Sequence, residues 1–346
     1  MQDSDYSMVT TVRLDRSVGA TFAAGADPAA VAKLREWEAV EKEVLSANTW
    51  RALHSDIRQF DSFCARKSAS VLPADPKTIR AFLLESQTRV SGRGAGKLRS
   101  LATLRRYLSS ISIIHRAVDL ESPSEATLVR KTMKAIARRI PARQRQAQAF
   151  GFESLQRYLA VPTRGLRDLR DRALVALAYD TLVRSDELAR ANVNDLTVER
   201  GTTSLLIRRS KTDQVGDGAK AFVSQETFGL IGIWLNEARI THGPIFRAVG
   251  PRDEISNDAL STAAIRATIK RATLKIGVNP AGFSGHSTRV GAAQDLLAAG
   301  ASLEQLKQAG RWKDFRMPTL YTQNIAVDRS AMAALAAIQG RHKLLD

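Results

Sequence analysis

Apolar residues in the first half of the chain recur at intervals of three and four. In ANTWRALHSDIRQFDSFCARK, Trp50, Leu53, Ile57, Phe60 and Cys64 keep that spacing, which at 3.6 residues per turn lines one face of a helix. ADPKTIRAFLLES reads as a second helix, with Asp75 placed to cap it and Pro76 in the first turn, where a missing N–H is harmless. A third covers SLATLRRYLSSISIIHRA and turns Leu104, Leu108 and Ile111 to one side. A fourth runs from SEATLVRKTMKAIARR to Ile140 and stops at Pro141. Four helices in about a hundred residues predict a compact bundle. Residues 1–27, polar and without period, are expected to form a flexible tail.

The second half stays mostly helical, with one change of period. RDLRDRALVALAYDTLV reads as a buried helix, followed by a short one over Asp186–Ala191. In TTSLLIRRSKTDQVGDGAKAFVS two β-leaning runs flank a polar, glycine-containing turn, as in a hairpin. Helices resume at ETFGLIGIWLNEARI and LSTAAIRATIKRATLKIG. GAAQDLLAAGASLEQLKQAGRW reads as helix, glycine turn and second helix, the latter capped by Ser302 with Gln305 three residues on, a helix-turn-helix pattern. RSAMAALAAIQG, residues 329–340, is a small apolar helix. The fold expected is mainly α in two domains: the tail over 1–27, a helical bundle over 28–140, a basic linker over 141–149, and a mostly helical domain with a small β-hairpin or sheet over 150–346.

Charge sharpens this picture. The 52 Lys and Arg against 35 Asp and Glu leave a net +17, a field that attracts polyanions, nucleic acid first among them. A membrane-surface role would want a strongly amphipathic terminal helix or a lipidation motif, and neither terminus offers one. The acidic start MQDSDYSMVTT is unlike a signal peptide, and no run of 18 or more uncharged apolar residues suits a membrane span. A cytosolic location is therefore expected. The single Cys64 excludes an internal disulfide and a cysteine zinc site. Five scattered histidines without ligand spacing give a metal nuclease little support.

Between Arg130 and Arg145 stand Arg130, Lys131, Lys134, Arg138, Arg139, Arg143 and Arg145 with no acid among them. Such a run is usually a solvated face. Here it coincides with a domain boundary, and a basic connector suits two domains that clamp a duplex, so DNA contact is expected.

Five fragments of the second half combine into one chemistry. LVRSDELAR carries Arg184 and Glu187; RRSKTDQ carries Lys211; SGHSTRVGAA carries His286 and Arg289 at a helix entrance; QAGRWKD carries Trp312; MPTLYTQN carries Tyr321. Each has an ordinary explanation alone: an i,i+3 ion pair worth a few tenths of a kcal/mol, an exposed turn lysine, a helix start, a core tryptophan. Together they suit phosphodiester cleavage. Guanidinium forks match phosphate oxygens and stay protonated. A phenol of pKa about 10 must lose its proton as it attacks, to histidine or glutamate, and a hairpin lysine could protonate the departing sugar oxygen.

Arg-x-x-Glu, hairpin Lys, His-x-x-Arg, Trp and a late Tyr, in this order, resemble the tyrosine recombinase (phage integrase) family. The resemblance implies that 28–140 is a core-binding domain and 150–346 the catalytic one. It implies that Arg184 and Arg289 hold the scissile phosphate, that His286 and Trp312 assist by hydrogen bonding, that Lys211 is the general acid, that Glu187 orients its neighbours or assists proton transfer, and that Tyr321 forms a 3′-phosphotyrosyl link. It further implies a homotetramer on double-stranded DNA with an inverted-repeat site, a Holliday junction, no cofactor, neither metal nor ATP, and a carboxy-terminal helix that docks on the adjacent subunit. Asp186, directly before Glu187, departs from the pattern and is expected on the outer face. Two other functions fit parts of the sequence: a non-enzymatic helix-turn-helix regulator with Tyr321 incidental, and a type IB topoisomerase.

Overall fold

The computed structural model describes residues 27–88, 98–140, 146–208, 218–322 and 330–341. The chain divides into two compact units, one ending at Arg145 and the other beginning at Gln146.

In the first unit, α1 (Pro28–Val44), α2 (Ala47–Lys67), α3 (Pro76–Thr88), α4 (Leu101–Arg116) and α5 (Thr127–Arg139) surround one core. Trp50, Leu53, Ile57, Phe60 and Cys64 of α2 are all buried, as their spacing requires. Asp75 accepts a hydrogen bond from the Lys77 N–H as α3 begins. The rings of Phe60 and Phe63 pack on Phe82 at 5.1 and 5.4 Å. Helix α1 is an addition to the four helices that periodicity predicts. Its buried face consists of Ala30, Leu34 and Glu38, too few strong apolar residues among charged ones to give a readable stripe. Asp27 caps it, accepting from the Ala29 N–H at 3.2 Å, and Trp37 reaches the Trp50 ring at 6.1 Å.

In the second unit, α6 (Phe152–Leu159), α7 (Leu166–Asp180) and α8 (Ser185–Arg190) precede an antiparallel sheet of β1 (Leu196–Glu199), β2 (Thr202–Ile207) and β3 (Ala219–Val223), in that order. Ser204 pairs with Thr197 on one side and Phe222 on the other. Thr203, Leu205 and Ile207 of β2 face inward and alternate with less buried neighbours. α9 (Gln225–Glu237), the two-stranded β4 (Arg247–Val249) and β5 (Ile255–Ala259), and α10 (Thr262–Lys275) complete the main core. The expected hairpin is thus β2–β3, joined by β1 into a three-stranded sheet; four- and three-residue strands such as β1 and β4 are too short to show alternation in sequence.

α11 (Ser287–Ala298), α12 (Leu303–Ala309), α13 (Arg316–Thr322) and α14 (Ala331–Ile338) follow. Ser302 and Gln305 form the reciprocal cap at the start of α12 that their spacing predicts. Leu182, Val290, Ala292, Ala293, Leu306, Trp312 and Tyr321 make a separate small core beneath this part of the molecule. The mainly α, two-domain expectation holds. No helix among the described residues is long and apolar enough to cross a membrane.

One close approach fixes α11. The Phe150 N–H donates to the Ser287 carbonyl at 2.9 Å, and a Cβ on Gly291 would stand 2.2 Å from the Phe150 carbonyl oxygen. Backbone cannot swing aside as a side-chain tip can. Gly291→Ala is therefore expected to destabilise the unit by about 1–3 kcal/mol, lowering its melting temperature by about 2–4 °C per kcal/mol, as read by calorimetry.

Candidate active site

Arg184 caps α8 from outside its first turn. Its backbone N–H donates to Glu187 Oε2 at 2.9 Å and its Nη1 to Oε1 at 2.6 Å. The Glu187 side chain is 1% exposed, that of Arg184 21%. The ion pair that i,i+3 spacing suggests is therefore present, but half buried rather than on the surface. Burial by itself would raise the Glu187 pKa. The Arg184 N–H and guanidinium, joined by the charge of Arg311, outweigh it and hold the carboxyl below its ordinary value. Asp186 turns away and pairs with Arg190 on the exposed side of the helix.

His286 stands immediately before α11. Ser284 and Ser287 brace that entrance: the Ser284 N–H donates to Ser287 Oγ at 2.9 Å and the His286 N–H to Ser284 Oγ at 3.2 Å. Ser185 Oγ donates to the Gly285 carbonyl at 3.2 Å, linking the start of α8 to the start of α11. The imidazole keeps an exposed edge, yet the protein packed around it, then the charges of Arg289 and Arg184, lower its pKa.

Arg289, three residues on, is 1% exposed. Its Nη1 donates to the Leu182 carbonyl and its Nη2 to the Gly310 carbonyl. Its guanidinium lies 4.4 Å from the centre of the Trp312 ring, a cation–π contact strengthened by desolvation. Burial, then repulsion from Arg184, pushes its pKa down to about 10, which leaves it cationic at neutral pH.

Trp312 lies 5.6 Å from Tyr321, ring centre to ring centre. Tyr321 sits on α13, almost wholly buried, and its backbone carbonyl accepts from Gln294 Nε2 at 3.1 Å. Gly310 makes room for the tryptophan, since a Cβ there would meet Trp312 Cζ3 at 2.0 Å.

Arg184, Glu187, His286, Arg289, Trp312 and Tyr321 thus form one connected group drawn from three helices, α8, α11 and α13, and the turns before them. Lys211 falls in 209–217, outside the described residues. Arg130, Lys131, Lys134, Arg138 and Arg139 lie on the exposed face of α5, opposite its buried Val129, Thr132 and Ile136. Arg143 and Arg145 are outside the described residues. One member escaped sequence reasoning. Arg311 directs its Nη2 to Glu187 Oε2 at 3.4 Å, and the only signal for it was a basic residue beside Trp312.

Three guanidinium groups around one carboxylate leave an uncompensated positive charge. Such a site suits an anion, and its geometry suits an anion with forked oxygens.

The family model described as the phage integrase family matches residues 149–326. The recombinase Cre of Escherichia phage P1 is 28% identical over 314 residues, covering 85% of this chain and 89% of its own. An integrase/recombinase XerD homolog of Selenomonas ruminantium is 28% identical over 288 residues, covering 80% and 81%. Among solved structures, the XerH site-specific recombinase bound to palindromic difH substrate, in a post-cleavage complex, superposes with a TM-score of 0.61 at 16% identity, covering 93% of this chain and 94% of that one. A lambda integrase tetramer bound to a Holliday junction gives 0.58 at 18% identity, covering 87% and 80%. At such identities the structural likeness is one of fold.

The lowered pKa of Glu187 has a measurable consequence. A carboxylate whose folded pKa lies below its ordinary 4.5 stabilises the fold fully above that value, and loses the effect as pH falls through the folded pKa. Glu187→Gln should cost about 1–3 kcal/mol at neutral pH, and denaturant unfolding curves of the two proteins should converge in acid.

Proposed function

The chain belongs to the phage integrase family, and from that premise we propose that Tyr321 is its nucleophile, served by Arg184, Arg289, His286, Trp312, Glu187 and Lys211 at one scissile phosphate. The protein is a site-specific tyrosine recombinase, an enzyme that breaks and rejoins DNA strands. The observation that carries the assignment of residues is the stack of buried Arg289 on Trp312, whose ring in turn meets that of Tyr321. A buried guanidinium, cationic at neutral pH, and an almost wholly buried tyrosine ring thus pack against one indole.

Arg184 and Arg289 grip the non-bridging oxygens and stabilise the charge that grows on them as phosphorus becomes five-coordinate. Tyr321 Oη attacks phosphorus. Its proton passes to His286, whose lowered pKa keeps the imidazole neutral and able to accept near pH 7; Glu187, held by two guanidinium groups, is the weaker acceptor and orients Arg184. The bond from phosphorus to the 5′ oxygen breaks, and Lys211 protonates that oxygen. The products are a 3′-phosphotyrosyl link and a free 5′-hydroxyl. Because the link conserves the phosphodiester's energy, the 5′-hydroxyl of the partner strand reverses the reaction to rejoin without ATP or metal.

Duplex DNA with an inverted-repeat site is the substrate, and four copies of the chain exchange strands through a Holliday junction. The basic face of α5 contacts the duplex. Met332, Leu335 and Ile338 of α14 are exposed apolar side chains suited to a neighbouring copy. The reaction belongs in the cytoplasm, where bacterial and phage DNA is found.

A randomised, nicked duplex library incubated with the protein and then denatured tests the reading. A covalent protein–DNA adduct is expected, and Tyr321→Phe should form none while binding the captured duplex within about twofold, since many Lys and Arg contacts share the affinity. A helix-turn-helix regulator gives no adduct from either protein. A type IB topoisomerase relaxes any supercoiled plasmid without site-dependent products.

Arg184→Ala should slow adduct formation by about 10²–10³ with most affinity retained; binding lost in parallel with cleavage would count against its place at the phosphate. Lys211→Ala should slow cleavage and be rescued in part by a substrate with a better leaving group at the 5′ position. Absence of rescue removes the acid role.

A further inference from the structure

Arg311, between Gly310 and Trp312, has a φ of +53°. In that left-handed region a Cβ crowds the backbone, and glycine is the favoured residue. An arginine stands there, and its side chain crosses to a distant part of the sequence. Nη1 donates to the Thr181 carbonyl at 2.9 Å, and Nη2 lies 3.4 Å from both the Leu182 carbonyl and Glu187 Oε2. The side chain is 12% exposed, and its Nε is buried without a hydrogen-bond partner in the structure. This is not a solvated surface charge.

Its partners are the partners of the phosphate-binding arginines. Leu182 also accepts from Arg289, and Glu187 also accepts from Arg184. The turn that carries Arg311 leads through Trp312 to Tyr321, and the segment it grips leads to Arg184. Thr181 and Leu182 occupy the exit of α7, where Leu182 itself has a φ of +48°, a tight corner whose carbonyls no helix satisfies.

We propose that Arg311 is a positioning residue for strand cleavage: it fastens the 310–312 turn to the 181–187 segment and shares one oxygen of Glu187 with the Arg184 backbone N–H, so that Arg184 and Tyr321 address the same phosphate. The inference rests on the recombinase reading above. The Arg184 guanidinium takes Oε1, whereas Oε2 accepts the Arg184 backbone N–H at 2.9 Å and Arg311 Nη2 at 3.4 Å, so Glu187 does not close on the Arg184 guanidinium with both oxygens. Arg184 keeps donors for the phosphate. The charged groups around Glu187 are Arg184 and Arg311 in direct contact, with Arg289 and His286 farther off. Removing Arg311 removes one of the forces that hold Glu187 ionised, so the acid limb of cleavage should respond to it.

The test uses the full chain and the duplex captured by the unaltered protein. Arg311→Gly relaxes the backbone while removing the guanidinium. It is expected to bind that duplex within about twofold, to form the Tyr321 adduct about tenfold or more slowly in a single turnover, and to show its acid limb at higher pH. Arg311→Lys, which keeps the charge without the fork, should recover part of the rate. Should Arg311→Gly fail to fold, Arg311→Gln carries the same comparison. Cleavage by the neutral variant at the unaltered rate, or a loss matched by its unfolded fraction with the pH profile unmoved, overturns the inference while the recombinase reading stands. No adduct from the unaltered protein overturns both.

Discussion

A guanidinium taken almost completely out of water organises the carboxy-terminal part of this molecule. Isolated in an apolar interior, the charge of Arg289 would be prohibitive, and the structure meets that penalty with backbone carbonyls from Leu182 and Gly310 and with the face of Trp312. Those carbonyls are 128 residues apart in the chain (310 − 182). Satisfying one buried cation therefore closes the corner after α7 against the turn before α13, and with them the segments that bear Arg184 and Tyr321. Helix α11 is in turn pressed on the Phe150 backbone through Gly291, so the arginine has little freedom to follow a moving partner.

The same crowding shapes the electrostatics. Arg184, Arg289 and Arg311 repel one another, and the downward shift of Arg289 records burial first and that repulsion second. Glu187 answers only part of the charge. Under the mechanism proposed above, a phosphodiester entering the site would supply the remaining negative charge, and more of it as phosphorus gains its fifth oxygen, so the repulsion among the cations would be relieved most where the reaction barrier lies. His286, which keeps an exposed edge, has its pKa lowered first by the protein packed around it and then by the same positive neighbours, Arg289 and Arg184.

Much of the fold was legible because one-dimensional periodicity reports directly on which face is buried. Trp50, Leu53, Ile57, Phe60 and Cys64 repeat as a helix must, and Ser302 with Gln305 announces the start of α12. Helix α1 was illegible because Glu38 occupies a buried position that a pattern reader assigns to solvent. Strands β1 and β4 are too short to alternate visibly. Arg311 was missed for a different reason: a basic residue in a protein of net charge +17 carries no information until its neighbours are known.

The sequence alone determined the order and type of the chemical groups, because Arg-x-x-Glu and His-x-x-Arg are local and a helix turns i and i+3 to one side whatever surrounds it. It also determined the partner's sign of charge, which is a sum over residues. Only the tertiary structure decided that Arg289 is buried on Trp312 while Asp186 points outward to Arg190, that Glu187 is shared between two arginines, and that a turn arginine belongs to the site at all. Those outcomes depend on which carbonyls, rings and carboxylates distant segments bring within bonding distance, and burial of a charge is a property of that assembled surrounding rather than of the residue that carries it.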